Sequence, residues 1–264
     1  MPLEYREADE LGDRVYTIEP GTYTFFRTRR GQTIELFSNA QHGRMIFIDS
    51  MLQSAERDEE FYHTSLLAGT EKKGRCLVLG GGEGAVLREL IRRDPTCGAA
   101  ITDITMVDWD EDFVQHMRQK EPHWSGGAFD DPRVSLIFTD AWEWCRRGAI
   151  KGPYQIIVVD LFDPEFRGQA DILQWSELYR ILAAHLADDG VLVLNGGRDL
   201  PYDHGRRHCL QNILAEYFPR HECELRSVYI PSFGSTWTLG CVRPPPRWPK
   251  TSKKEERAEG EFET

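Results

Sequence analysis

The sequence predicts an α/β chain in which a parallel-rich sheet flanked by helices follows a small antiparallel β domain. Three observations lead there. Residues 1 to about 70 alternate apolar and polar side chains between glycines, the pattern of antiparallel hairpins. From about Arg75, short β-branched or leucine-rich runs alternate with stretches of helical spacing. That alternation implies right-handed crossovers and a sheet covered on both faces. Between the first such run and the first helix lies the glycine-dense turn Gly80-Gly-Gly-Glu-Gly84, which makes the second part Rossmann-like.

In chain order, the early strands are Tyr16-Thr-Ile18, Thr22-Tyr-Thr-Phe-Phe26, Thr33-Ile-Glu-Leu-Phe37 and Arg44-Met-Ile-Phe-Ile48, punctuated by Gly21, Gly31 and Gly43. Asp58–Leu67 then shifts to helical spacing, with Phe61, Leu66 and Leu67 available to one face. The parallel strands are expected at Cys76–Leu79, Ile101–Val107, Val134–Phe138, Gln155–Val159 and Val191–Leu194. Helices are expected at Ala85–Arg93, Glu111–Gln119, Ala141–Arg147 and Gln174–Leu186. Tyr229–Val242 supplies a late hairpin, and from Pro244 the chain passes into a charged tail that cannot bury itself. The division is therefore a β domain over 1–65, a Rossmann-like domain over 66–243 and a disordered polar tail over 244–264.

Composition narrows the class. Of 264 residues, 40% are apolar and 11% aromatic, which excludes a wholly disordered chain. No run approaches the roughly 18–20 apolar residues of a membrane span, and the start Met1-Pro-Leu-Glu-Tyr-Arg-Glu lacks the pattern of a signal peptide. With 32 basic and 43 acidic side chains the net charge is −11. That argues against nucleic acid as a partner and suits a cationic or neutral small ligand. Arg206 and Arg207 are too few for a nucleic-acid surface. The six cysteines, Cys76, Cys97, Cys145, Cys209, Cys223 and Cys241, form no C-x-x-C pair and no zinc spacing. Reduced thiols, no metal and a cytoplasmic location are the expectation. Trp142 and Trp144 flank Asp140, where one can stack on an adenine or both can pack in the core, while Trp175 and Tyr179 read as core aromatics and His208 as a surface or helix-start residue.

The glycine turn carries the first chemistry. Gly80, Gly82 and Gly84 let the backbone turn sharply and approach a ligand, and the following helix offers its N–H groups. The spacing is G-x-G-x-G rather than the dinucleotide pattern, and Glu83 lies inside it. A carboxylate there repels a pyrophosphate and attracts a cation, tilting the ligand toward a sulfonium nucleoside such as S-adenosylmethionine. The next strand ends in Asp108-Trp109-Asp110, where such folds hold ribose hydroxyls. Asp110 suits the cap of the following helix. The third strand ends in Thr139-Asp140-Ala141, placing an acceptor where an adenine amino group can lie.

The fourth strand runs into Asp160-Leu-Phe-Asp163-Pro164, two carboxylates at a strand end. Asp163 alone could be an Asx-Pro turn, whereas Asp160 directly follows a buried run and needs a partner. Attack at a sulfonium donor needs an in-line nucleophile. An alkylamine, with a pKa of about 10, arrives protonated and must lose that proton before attacking. Asp160 is the candidate base and Asp163 the amine anchor.

These residues resemble the polyamine aminopropyltransferases, the spermidine, spermine and thermospermine synthases. The resemblance spreads over about residues 30–195. It rests on Ile48-Asp-Ser-Met-Leu-Gln53 through Asp58-Glu-Glu-Phe-Tyr62-His63, on Gly80–Gly84 in its glutamate variant, on Glu121–Arg133, and on the D-x-x-D-P loop Asp160–Pro164. It implies a Rossmann-like methyltransferase fold and decarboxylated S-adenosylmethionine as donor and co-substrate, with no permanently bound cofactor. An amine is the acceptor, methylthioadenosine the by-product and a homodimer or higher homo-oligomer the assembly. By resemblance, Gln53, Asp108 and Asp140 contact the donor nucleoside, with Trp109 and Ala141 beside them. Glu83 holds the aminopropyl amine, and Tyr62 and His63 line the reaction centre. Asp160 deprotonates or orients the acceptor that Asp163 helps bind. Gln32 lies on the β-domain side of the cleft, and Phe233 stands where the family has an acceptor-lining tyrosine.

The sequence departs from the family in Glu165–Leu173, which introduces Arg167, in Asn195-Gly-Gly197, in Phe233, and beyond Val242, where the family's carboxy-terminal segment has no counterpart. All four touch the acceptor half of the cleft. Two alternatives stand beside the reading: transfer of a methyl or amino-carboxypropyl group from intact S-adenosylmethionine, and a non-catalytic family member.

Overall fold

The structure, a computed structural model, describes residues 3–9, 12–71, 74–97, 101–200, 202 and 204–245. Of the expected tail, only Pro244 and Pro245 fall among them. Strands β1 (Leu3–Glu7) and β2 (Arg14–Ile18) form an antiparallel ribbon. Strands β3 (Thr24–Arg27), β4 (Thr33–Asn39), β5 (Gly43–Ile48) and β6 (Met51–Ala55) follow as an antiparallel meander. Helix α1 (Glu59–Leu66) leads from the meander into the large sheet.

The alternation of strand and helix then proceeds as β7 (Gly74–Gly80), α2 (Ala85–Cys97), β8 (Ile101–Asp108), α3 (Glu111–Lys120), the short α4 (Pro122–Ser125), β9 (Val134–Phe138) and α5 (Ala141–Arg146). It continues as β10 (Tyr154–Asp160), α6 (Gln169–His185), β11 (Leu186–Arg198), α7 (His204–Tyr217), β12 (Glu222–Ile230) and β13 (Ser235–Arg243). The seven strands lie in the order β12-β13-β11-β10-β7-β8-β9. β9, β8, β7, β10 and β11 run parallel, while β12 and β13 join antiparallel. The order reverses at β7, so the crevice of the sheet opens at the carboxyl ends of β7, β8 and β10, the usual ligand edge of such a sheet.

Side chains of a strand alternate between faces. On β7, Cys76 and Val78 enter one core while Leu77 and Leu79 enter the other. The same alternation separates Ile156 and Val158 from Ile157 and Val159 on β10. This is why the strands read as unbroken apolar runs. The first core continues into the meander through Ile34, Leu36, Met45 and Ile46. The second packs under α5, α6 and α7 and takes up Trp142, Trp144, Trp175 and Tyr179.

The β3–β4 turn reaches across to α3. Arg29 pairs with Asp112, and Arg30 Nε donates to the Trp109 carbonyl at 3.1 Å. On β5, Arg44 pairs with Glu121.

Several expectations are corrected. The Val191–Leu194 strand extends from Leu186 to Arg198, because the preceding helix stops at His185 rather than Leu186. Phe61 does not join the buried face of α1; it is 50% exposed, while Leu66 and Leu67 are buried. The late hairpin begins at Glu222 rather than Tyr229: its outer strand alternates the exposed Glu222 and Glu224 with the half-buried Cys223 and Leu225. β1 and β6 carry too few apolar residues in register to stand out in the sequence, whereas α7 carries Leu210, Ile213, Leu214 and Tyr217 at helical spacing and was missed by sequence reasoning.

Candidate active site

The glycine turn places the first acid. Gly80, Gly81 and Gly84 have φ of +84°, +78° and +84°, a left-handed backbone that favours glycine. Gly80 pairs across to Asp160, and a Cβ there would fall on the Asp160 carbonyl. Glycine therefore lets β7 and β10 end side by side. Gly82 lies so close to β8 that an added Cβ would sit 3.0 Å from Asp108 Oδ2.

Four elements bring side chains into this space: α1, the glycine turn, β8 and the end of β10. His63 Nε2 lies 3.0 Å from Glu83 Oε1, and one ligating atom from each of His63, Glu83 and Asp160 falls within 4.8 Å of the others. Tyr62 Oη donates to Asp160 Oδ1 at 2.9 Å. Burial, followed by the charge of Glu83, pushes the Asp160 carboxyl up to about 6; His63 and Tyr62 act in the opposite sense. Asp108 is likewise pushed up to about 6, first by burial, against the backbone hydrogen bond from Asp110, which measures 2.9 Å. Burial raises Asp163 too, opposed by a 3.0 Å hydrogen bond from Asn195 Nδ2.

His63 is 1% exposed. Burial alone would depress its pKa, but the hydrogen bonds to Glu59 and Glu83 outweigh it and raise the imidazole to about 10.

Phe233 is buried against Tyr62, with ring centroids 6.2 Å apart, and against Trp237 at 4.6 Å. At the rim, Trp109 Nε1 donates to Gln32 Oε1 at 3.2 Å, joining the β3–β4 turn to the end of β8. Tyr62, His63, Glu83, Asp108, Asp160, Asp163 and Phe233 are thereby brought together around Gly80, Gly82 and Gly84. Asp140 stands one strand away, where its Oδ1 caps α5 by accepting from Glu143 N at 2.8 Å, and Ala141 is buried in the first turn of that helix. Asp110 caps α3 by accepting from Phe113 N. Gln53 is exposed on β6 and donates to the Met51 carbonyl at 3.2 Å. Arg167 is exposed and paired with Glu165, and His208 is exposed on α7.

Sequence reasoning missed Glu59 and Arg88, which back His63, and Trp237, which backs Asn195. The i,i+4 spacing of Glu59 and His63 on a helix was a usable signal. Arg88 and Trp237 become visible only once α1, α2 and β13 are packed. Asn195 Oδ1 accepts from Trp237 Nε1 at 3.0 Å and from Gly197 N at 2.9 Å, which fixes its amide with Nδ2 toward Asp163. No helix among the described residues is long and apolar enough to cross a membrane.

Comparison with known proteins bears on this arrangement. A family model described as the spermine/spermidine synthase domain matches residues 57–243. The polyamine aminopropyltransferase of Aeropyrum pernix is 34% identical over 216 residues, 79% of this chain and 65% of that protein. That of Pyrobaculum calidifontis is 33% identical over 233 residues, 86% of this chain and 78% of that protein. Polyamine aminopropyltransferase 2 of Pseudomonas aeruginosa is 30% identical over 236 residues, with this chain spanning 64% of its length. The crystal structure of spermidine synthase from Thermotoga maritima superposes with a TM-score of 0.72 at 20% identity, over 92% of this chain and 80% of that one. A spermidine synthase in complex with the transition-state analogue AdoDATO gives 0.73 at 21% identity, with the same two coverages. On the extent of the family match, the chain belongs to the spermine/spermidine synthase family.

Proposed function

We propose that the chain transfers an aminopropyl group from decarboxylated S-adenosylmethionine to an amine acceptor such as putrescine, agmatine or a polyamine. The observation that carries the reading is the convergence of Glu83, Asp160 and Tyr62 in one crevice, with Asp108 and Asp163 flanking it. Crowded carboxylates with raised pKa values are destabilised as anions and gain when cations arrive. Both reactants are cations. In this reading Asp108 takes the ribose diol and Glu83 the terminal ammonium of the donor. A donor that kept its carboxylate would bring that charge against Glu83.

Asp163 and Asp160 then hold the acceptor. Asp160, as carboxylate, accepts a proton from the acceptor ammonium. The freed nitrogen lone pair attacks the propyl carbon bonded to sulfur. A C–N bond forms, the C–S bond breaks with its electron pair moving to sulfur, and neutral methylthioadenosine leaves. The product nitrogen keeps a proton as ammonium, and Asp160 returns its own to solvent. Placement and proton removal are all this displacement requires of the protein.

The test is incubation of the chain with decarboxylated or intact S-adenosylmethionine and a panel of diamines, triamines and agmatine, followed by mass spectrometry. Release of methylthioadenosine with a product heavier by one aminopropyl group is expected from the decarboxylated donor. Methylated or amino-carboxypropylated product from the intact donor, or no product from either, overturns the proposal.

A further inference from the structure

Behind His63 stands a pair of groups that the displacement itself does not use. Arg88 on α2 is only 8% exposed, yet it is charged. Its Nη2 donates to both oxygens of Glu59 at 2.8 and 2.7 Å, its Nε to Glu89 at 2.9 Å, and its Nη1 to the Trp124 carbonyl at 2.6 Å. Glu59 on α1 is 9% exposed. Its Oε2 lies 3.2 Å from His63 Nδ1, and the same nitrogen lies 2.7 Å from the Glu59 carbonyl.

A carbonyl oxygen can only accept, so Nδ1 carries a proton. An ionised Glu83 can only accept, so Nε2, 3.0 Å away, carries one as well. The ring is an imidazolium, and charges alternate along Arg88, Glu59, His63 and Glu83 across α2, α1 and the glycine turn. The groups that face His63 fit this pattern. Glu59 and the neutral Tyr62 phenol come from its own helix, Glu83 from the turn, Asp160 from β10, and Arg88 reaches it through Glu59.

A buried chain of charges gives a fold little that apolar packing would not, so its value lies in position. A permanent cation is also an odd component of a crevice that receives cations. It has a use if it ties down one oxygen of Glu83 and leaves the other for substrate, while offsetting the mutual repulsion of Glu83 and Asp160. A neutral ring would point a lone pair at an accepting oxygen on one side or the other. It would then lose one of these contacts.

We propose that Arg88 and Glu59 are positioning residues of the reaction: acting through His63, they aim the Glu83 carboxylate into the crevice and keep a fixed positive charge beside Glu83 and Asp160. The proposal rests on the functional reading above, and its test separates the two.

The full-length protein labelled with 15N-histidine reports the protonation of His63 by long-range proton–nitrogen spectra, assigned by loss of the signal in H63Q. His63 is expected to stay doubly protonated to pH 8.5 in the wild type. In E59Q, which keeps the shape of Glu59 and removes its charge, the midpoint should fall by about one to two pH units. Methylthioadenosine release should then fall away earlier on the alkaline side of the pH–rate profile, because above the lowered midpoint Glu83 and Asp160 lose the nearby positive charge, whereas near pH 6 His63 stays protonated in both proteins. Donor kcat/KM should drop about ten- to hundredfold, with a smaller loss in the same direction for R88K.

A neutral His63 at pH 7 in the wild type overturns the proposal. So does an E59Q profile identical to wild type once the His63 titration has moved. If circular dichroism shows E59Q unfolded, the wild-type titration and R88K decide the matter. Absence of methylthioadenosine release by the wild type overturns the functional reading alone, since the titration reads the charge chain without turnover.

Discussion

Tyr62 Oη lies 2.9 Å from Asp160 Oδ1, although 98 residues separate them in sequence. The phenol sits on the helix that follows the β meander, and the carboxylate ends the fourth parallel strand, so one hydrogen bond joins both halves of the chain at the crevice. Burial, then the charge of Asp160, pushes the Tyr62 phenol well above its ordinary pKa. It therefore remains a donor, and Asp160 must accept. One carboxylate oxygen is thereby held in place.

Asp160→Asn keeps this shape and removes the proposed base. In that variant kcat should fall by about 10²–10⁴-fold, the usual contribution of a positioned base. Donor affinity should change little, because Asp108 and the glycine turn remain. Turnover by methylthioadenosine release and donor binding by calorimetry check both halves. Wild-type turnover in this variant would refute the base assignment.

Tyr62→Phe deletes only the hydroxyl. Tyr62 pulls the Asp160 pKa down from where burial and Glu83 would put it. Its loss should raise that pKa further above 6 and carry the acidic limb of kcat/KM toward higher pH. Loss of a hydrogen bond to a charged group corresponds to about a ten- to hundredfold drop in rate on the acidic side. Part of the drop should be recovered at alkaline pH, where Asp160 is ionised in either protein. A limb that stays put would show that Tyr62 only packs.

The same raised carboxyls set the pH dependence of stability. Asp108 and Asp160 titrate at about 6 in the folded chain and at about 3.9 when unfolded. Between those values the folded state binds more protons than the unfolded one. Their contribution to stability therefore falls as pH rises from about 4 to about 6, and His63, raised to about 10, extends the decline above about pH 6.5. A cationic ligand bound among these carboxylates reverses the loss. The upward shift in Tm caused by decarboxylated S-adenosylmethionine with an amine should be larger at pH 7.5 than at pH 5, by differential scanning fluorimetry. Equal shifts at the two pH values would place the ligands elsewhere.

The parallel sheet was legible because its central strands β7, β10 and β11 are buried on both faces and so read as apolar runs, such as Ile156–Val159. The acids were legible for a related reason. A carboxylate immediately after such a run, as Asp108 or Asp160, has to stand at the sheet edge. What escaped was whatever depends on packing between elements. The buried partnership of Arg88 with Glu59 joins two helices that carry ordinary surface-type charges in sequence. Asn195 stood out only as a departure from the family. Its role in holding Asp163 depends on Trp237, brought beside it by the antiparallel pairing of β11 with β13. The β3–β4 turn likewise gives no sign in sequence that Arg29 will clasp Asp112.

The glycine turn separates fold from function within three residues. At Gly80 an alanine would need a left-handed backbone at φ +84° and would drive its Cβ into the Asp160 backbone carbonyl, which pairing of β7 with β10 holds in place. Neither strain can relax without parting the two strands, so Gly80→Ala should cost more than about 3 kcal/mol and lower Tm sharply. At Gly82 the backbone has no such constraint. An added Cβ would instead meet Phe113 Cδ1 at 2.8 Å and Asp108 Oδ2 at 3.0 Å, both side-chain atoms that can yield. Gly82→Ala should therefore stay folded, losing about 1–3 kcal/mol, while pushing Asp108 away from the ribose it is proposed to hold. Displacing a positioning group by about 1 Å can lower a rate on the order of a hundredfold. Thermal melts and donor titrations of the two variants should give opposite patterns: Gly80→Ala loses the fold, and Gly82→Ala keeps it but loses donor affinity. If Gly82→Ala binds donor as the wild type does, Asp108 is not a donor contact.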